Sequence, residues 1–309
     1  MASMPKTVTV IGGANLDVVG LPNSTPIPGE SMPGRVTVSA GGVGRNVAEN
    51  LARLGVATRL LTAVGEDADG ERILADCRRA GVDVDAVRVV RDGETCRYLA
   101  LLDEAGDLRL AVSQMDLVDR LDADYLDRHA ALIAESSLVV VDANLPPRTI
   151  EALLHRCTGQ PVFLEPVSAP KAARLKAFVG RFHTLKPNRA EAEVLTGREI
   201  GNEADLQRVL ERFLRLGVQR VFISLGVAGL FFGDEQGSGL VRPPATRVVN
   251  ATGAGDAAMA ALAYCYSRGD STEHSARFAV GAAALALSSD ATVHPQMSET
   301  RVERLLRRP

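Results

Sequence analysis

Ser136–Ser168 reads SSLVVVDANLPPRTIEALLHRCTGQPVFLEPVS. Leu138–Val141 and Val162–Leu164 are unbroken apolar runs, and between them Arg148–Arg156 has helical periodicity. A strand without polar alternation is buried on both faces, and a helix joining two such strands is the crossover that a parallel pair needs. The same rhythm extends outward. Downstream lie strand candidates Thr184–Leu185 and Arg220–Ser224, with helical stretches at Arg189–Leu195 and Ala204–Leu216. Upstream lie a helix near Tyr125–Ala134, strands Thr7–Ile11 and Arg59–Val64, and helices Asn46–Leu54 and Ala68–Ala80. The last stretch is helical at Ala254–Arg268, Ser275–Ser288 and Glu299–Arg307. This pattern predicts one doubly wound α/β domain over residues 1–309. Arg35–Ser39 alternates polar and apolar residues, and Thr95–Leu102 with Leu108–Val112 reads as a hairpin around Glu104-Ala105-Gly106. Such half-wet strands do not suit a covered parallel core, so residues within roughly 14–40 and 94–113 are expected to form a small accessory sheet.

Composition narrows the function. A chain of 309 residues buries a large core without disulfides or metal staples. The net charge of −3 argues against a nucleic-acid partner of the basic-patch kind. The best apolar run, Phe278–Leu287, falls short of the roughly 18 residues that span a bilayer, so no membrane association is expected. Met1–Thr7 has no secretory-leader pattern. Cys77, Cys96, Cys157 and Cys265 are far apart, with no CxxC and no histidine at ligand spacing. They read as reduced thiols of a cytoplasmic protein, without structural zinc. His129, His155, His183, His274 and His294 are scattered and read as surface or packing residues.

Three segments could carry chemistry. Val249-Asn250-Ala251-Thr252-Gly253-Ala254-Gly255-Asp256 precedes an apolar helix. Glycines there leave backbone N–H groups open to an anion, which the helix dipole favours. A carboxylate at that place repels phosphate, so Asp256 suits a base that deprotonates an attacking hydroxyl. A helix stabilised by an N-terminal Asp explains it equally. Ala40-Gly41-Gly42-Val43-Gly44-Arg45-Asn46 also opens a helix. It is not a dinucleotide fingerprint; either its backbone admits a ligand with Asn46 beside hydroxyls, or it is a tight turn. Leu185-Lys186-Pro187-Asn188-Arg189-Ala190-Glu191 ends a strand and opens a helix. Asn188 and Glu191 form a capping box or else order water around Mg²⁺. No Gly-Lys dipeptide, HRD, DFG, HExxH or GxSxG occurs.

Taken in order, Asn15-Leu16-Asp17, Gly41 to Asn46, Val64 to Gly70, Lys186-Pro187-Asn188 with Glu191, and Gly253 to Asp256 resemble the ribokinase-like, or PfkB-type, family of carbohydrate and nucleoside kinases. The resemblance spans essentially the whole chain. It implies a ribokinase-like α/β/α core with a small β-sheet lid, ATP as donor, Mg²⁺, and a small-molecule substrate with a primary hydroxyl. Position by position it implies Asp256 as base, with Gly253, Ala254 and Gly255 as the anion hole. It implies a substrate site of Asn15, Asp17, Gly41, Gly42, Arg45, Asn46, Asn144 and Lys171. Lys186, Asn188, Ser224, Gly226, Gly229 and Thr252 would serve the nucleotide, and Glu191 the hydrated metal. Asn250 stands where the family often has an acidic residue by a monovalent-cation site, which weakens the case for K⁺. A homodimer through the lid is within the family's range. Gly41 to Asn46, Glu165 to Lys171 and His183 to Arg189 look most like the branch that phosphorylates pseudouridine on its 5′-hydroxyl. Ribokinase or another nucleoside kinase is the nearest rival. A non-catalytic sugar- or nucleoside-binding regulator is the rival of another class, and a Rossmann oxidoreductase fits poorly.

Overall fold

The computed structural model describes residues 7–27, 29–250 and 252–307. Met1–Lys6, on which the leader reading rests, and Ala251 of the glycine-rich segment lie outside the described residues.

The strands are β1 (Val8–Ile11), β2 (Asn15–Pro22), β3 (Gly34–Gly41), β4 (Thr58–Leu61), β5 (Ala63–Gly65), β6 (Arg88–Val90), β7 (Arg97–Leu102), β8 (Leu108–Gln114), β9 (Leu138–Asp142), β10 (Val162–Glu165), β11 (Thr184–Leu185), β12 (Arg220–Ser224), β13 (Leu230–Asp234) and β14 (Gly237–Val241). The helices are α1 (Val43–Arg53), α2 (Ala68–Arg79), α3 (Ala123–Arg128), α4 (Ala130–Ala134), α5 (Pro147–Arg156), α6 (Ala169–Ala173), α7 (Arg189–Thr196), α8 (Glu203–Leu216), α9 (Ala254–Arg268), α10 (Thr272–Leu287) and α11 (Glu299–Leu306).

The main sheet runs β14-β13-β12-β11-β10-β9-β1-β4, parallel from β12 to β4. Every residue of β9 and β10 is buried, as unbroken apolar runs require. Leu138 and Val140 pack with α1, α9 and α10, whereas Val139 and Val141 pack with Leu153 of α5 and Phe213 of α8. The sheet therefore separates two hydrophobic layers, the α/β/α arrangement expected. None of the described helices is long and apolar enough to cross a membrane. Strand order reverses at β1, whose neighbours are β4 and β9. A crevice opens beyond the carboxyl ends at such a switch point, and ligands bind there.

The structure departs from the sequence reading in three places. Arg59–Val64 is two strands. β4 pairs with β1, Thr62 interrupts, and β5 leaves the sheet edge to pair with β6. Tyr125–Ala134 breaks at His129, whose φ of −109° and ψ of 15° are not helical and whose ring Nδ1 contacts the Tyr125 carbonyl. After β12 the chain turns back at Gly226 and Gly229, so β13 and β14 are antiparallel.

A second sheet, β3-β2-β7-β8, entered from β1 through β2, forms the lid strands. Pairing aligns Val38, Val18, Leu99 and Val112 in one row, and Val36, Gly20, Leu101 and Leu110 in the next. Their shared face is open: Val36, Leu110 and Val112 are more than half exposed. Asp17, Tyr98 and Ala100 alternate to the opposite face.

Candidate active site

The carboxyl ends of β1, β9, β10, β11 and β12 converge where α1 and α9 begin. Gly253 opens α9 at φ +82°, and a Cβ there would lie 2.1 Å from the Thr292 carbonyl, so only glycine fits. The first-turn N–H groups of α9 thereby stay open, and Asp256 sits among them in the first turn. Asp256 is 9% exposed. Burial lifts its carboxyl to about 6, even though the Asn46 amide, Lys186 and Arg45 pull it down; Asp142 adds to the rise. A carboxylate tuned this way is a stronger base than an exposed Asp yet ionised at neutral pH.

Gly42, at φ +95°, starts α1 against Gly13, where a Cβ would lie 2.5 Å from the Gly13 carbonyl. That close seating brings Asn46, 4% exposed, to Asp256, and its Nδ2 donates to Asp256 Oδ2 at 2.7 Å. Asn46 and Asp256, read from separate segments, thus meet directly. Lys186, beyond β11, is 3% exposed, and its Nζ lies 2.8 Å from Glu165 Oε2. Nζ also lies 3.5 Å from where a side chain on Gly255 would begin, so an ammonium faces the open N–H groups. Burial works against that charge, but Glu165, Glu191 and Asp256 hold its pKa above the usual lysine value. Glu165 rises to about 7 through burial, opposed by Lys186.

On the lid side, Asn15 begins β2 opposite Gly41 of β3, and its Nδ2 donates to Asp17 Oδ1 at 2.6 Å. Burial raises the Asp17 pKa, with Asn15 and Arg45 opposing. Asn144, just past β9, accepts a hydrogen bond from Lys171 Nζ in α6. Burial lowers the Lys171 pKa. Arg45, expected among the substrate contacts, is engaged within the protein. It is 5% exposed, and its guanidinium is occupied by the Ala40 carbonyl, Asn46 and Glu49.

The family's sequence model, described as pfkB family carbohydrate kinase, matches residues 5–299. The chain belongs to the pfkB family. It is 38% identical to the pseudouridine kinase of Escherichia coli over 96% of this chain and 95% of that protein. A carbohydrate kinase structure from Agrobacterium tumefaciens superposes with a TM-score of 0.84 at 31% identity, covering 97% of both chains. A ribokinase structure from Arabidopsis thaliana, complexed with ribose and ATP, gives a TM-score of 0.83 at 26% identity, covering 99% of this chain and 100% of that one. These likenesses make the protein a sugar or nucleoside kinase with the ribokinase-like fold.

Beside this pfkB centre lies the segment that sequence read in two ways. Asn188 and Glu191 form the capping box of α7: Asn188 Oδ1 accepts from Glu191 N at 2.9 Å, and Glu191 Oε2 accepts from Asn188 N at 2.8 Å. Glu191 is nonetheless 3% exposed, as buried as Lys186, and burial raises its pKa. Among the described residues Glu165 Oε2 accepts no hydrogen bond, although Lys186 Nζ lies 2.8 Å away as an ion-pair partner. Buried carboxylate oxygens with lone pairs to spare suit a hydrated Mg²⁺, which prefers oxygen ligands. Ser224 bridges to Asn188 at the end of β12, and Gly226 and Gly229 follow in the adjoining turn. Thr252 N donates to the Asn250 side chain, whose Nδ2 in turn reaches the Asp290 carbonyl at 3.1 Å.

Two site residues were unassigned by sequence reasoning. Asp142, 2% exposed, ties the β1 and β9 loops together by accepting from Gly13 N at 2.8 Å and Asn144 N at 2.9 Å. Glu165 is the other. Each is a carboxylate closing an all-apolar strand, which was the available signal. Elsewhere, ligand atoms of Cys265, Asp270 and His274 come within 4.8 Å of one another at the α9–α10 corner, a proximity that their spacing in sequence did not indicate. Burial keeps the Cys265 thiol protonated, and Arg268 stands 3.9 Å from Asp270.

Proposed function

We propose that this protein is an ATP-dependent kinase of a ribosyl substrate, converting pseudouridine to pseudouridine 5′-phosphate. The observation that carries the reading is Asp256: a buried carboxylate lifted to about 6, held by Asn46, among open helix N–H groups and beside Lys186. Asp256 takes the proton of the 5′-hydroxyl as its oxygen attacks the γ-phosphate in line. The N–H groups of Gly253–Gly255 and the Lys186 ammonium receive the charge that develops on the transferred group. Mg²⁺, held through water by Glu191, would neutralise charge on the phosphates. Asn15 and Asp17 bind sugar hydroxyls, while Ser224, Gly226, Gly229 and Thr252 border the nucleotide.

The choice of pseudouridine rests on likeness to the E. coli enzyme and on the Lys171–Asn144 pair, which offers donors for a uracil edge. A site that hydrogen-bonds a base rejects ligands lacking it, because its own polar groups are left unpaired. A substrate panel with coupled ADP detection tests this. Pseudouridine should exceed uridine and ribose in kcat/KM, and Lys171→Ala should hurt pseudouridine far more than residual ribose activity. Ribose as best substrate would favour the ribokinase reading, and ligand binding without ADP production would favour a regulator. The apolar lid face fits a second copy of the chain, giving a homodimer through the lid. The four free thiols go with a cytoplasmic location.

A further inference from the structure

Arg45 occupies an awkward place for a cation. It lies in the first turn of α1, where the helix dipole disfavours positive charge, and the side chain is almost fully buried. A residue that breaks a local rule at such cost is expected at a functional position. Its contacts show what it does. Nη1 donates to the Ala40 carbonyl and to Asn46 Oδ1, both at 2.7 Å, and Nη2 pairs with Glu49. Glu49 is held in turn by Arg53 Nε at 2.8 Å, and Arg53 Nη1 reaches the Pro295 carbonyl at 2.6 Å. The guanidinium is thus fixed from both ends. A side-chain amide can present either its oxygen or its NH₂, and its neighbours decide which. With Oδ1 occupied by Arg45, Asn46 turns Nδ2 towards Asp256.

We propose that Arg45 is a positioning residue for the base: it locks the Asn46 amide so that Asp256 always meets a donor there and never a second acceptor. The flipped amide would set Oδ1 against the carboxylate and disfavour its charged form. Arg45 also stands as a positive charge near both Asp17 and Asp256, lowering the pKa of each. The groups facing Asp256 are Arg45 and Asn46 of α1, Asp142 at the end of β9, and Lys186 beyond β11, and Asp256 in turn acts on Glu165 at the end of β10. Only the α1 pair adjoins the base through a neutral, reversible amide.

The inference rests on Asp256 being the base, but its first test needs no turnover. The variant is Arg45→Met with Glu49→Gln, which leaves no buried carboxylate unpaired. Titration of Asp256 by carbon-13 NMR, assigned with Asp256→Asn, should give a midpoint higher than in the unmodified protein by roughly half to one unit. The acid limb of kcat should move by the same amount, while the calorimetric ATP Kd without acceptor stays within about twofold. In an Asn46→Ala background the same pair of changes should shift the midpoint less, since Asn46 transmits the effect. An unchanged midpoint, or an equal shift in both backgrounds, would overturn the proposal. Should the double variant fail to fold, Arg45→Lys keeps the Glu49 pairing and loses the fork. It should shift the midpoint upward by a smaller amount, and no shift overturns the proposal. A shifted midpoint in a protein that transfers no phosphate would retain the lock and remove the kinase reading.

Discussion

Replacing Asp256 by Asn keeps the shape and the Asn46 contact but removes the proton acceptor. We expect kcat to fall by about 10²–10⁴ with ATP binding intact, measured by coupled ADP release and calorimetry. Turnover within a few-fold of the unmodified enzyme would remove Asp256 from the reaction. The unmodified enzyme should lose kcat as pH falls below about 6, where the carboxyl takes up its proton. The same group sets a stability cost of the opposite sense. Its folded pKa lies above the unfolded value, so its contribution is fully present at pH below 3.8 and is lost as pH rises through about 6. The inactive Asp256→Asn protein should therefore melt roughly 2–4 °C higher than the active one at pH 8, with the gap closing near pH 4. Equal melting curves at pH 8 would show that the carboxylate is not strained by burial.

Among the elements, α7 is where a cap and the proposed metal site would share residues. Glu191→Gln keeps a capping-box partner, so the melting temperature should barely move. The Mg²⁺ concentration for half activity should rise, because the charge that orders the ion's water is gone. An unchanged Mg²⁺ titration would leave the residue a cap alone. Cap and glycine signals also explain what was legible in the sequence. Ala254–Arg268 was read at both ends because Gly253 and Gly269 bracket it, both at positive φ. The β13–β14 hairpin was not legible, since Gly233, Gly237 and Gly239 weaken the strand pattern and its register comes from pairing with β12. Arg59–Val64 misled because a single Thr62 within a strand-like run does not reveal that its second half leaves the edge of the sheet. In the site, Asp256 and Asn46 stood next to glycines that advertise backbone access. Asp142 and Glu165 acquire meaning only through Gly13 and Lys186, partners that folding brings from other strands.

At the scale of the molecule, the lid leaves seven apolar positions on one face, from Val18 and Val36 to Leu110 and Val112. Leu101→Glu with Leu110→Glu places charge in the middle of that face without touching Asp17. Sedimentation should show the unmodified chain as a dimer and the double variant as a folded monomer; a dimer in both would place the contact elsewhere. The alternation that exposes this face was readable from Arg35–Ser39 and Leu108–Val112, whereas the row of side chains across four strands required their register. If, as proposed, this one thin sheet carries Asp17 towards the sugar on one side and an association surface on the other, a kinetic corollary follows. Dilution becomes a variable of the assay. When the enzyme is diluted past its dissociation point, the lid loses its backing, the acceptor KM should rise while the ATP KM holds, and specific activity should fall with enzyme concentration at fixed, subsaturating acceptor.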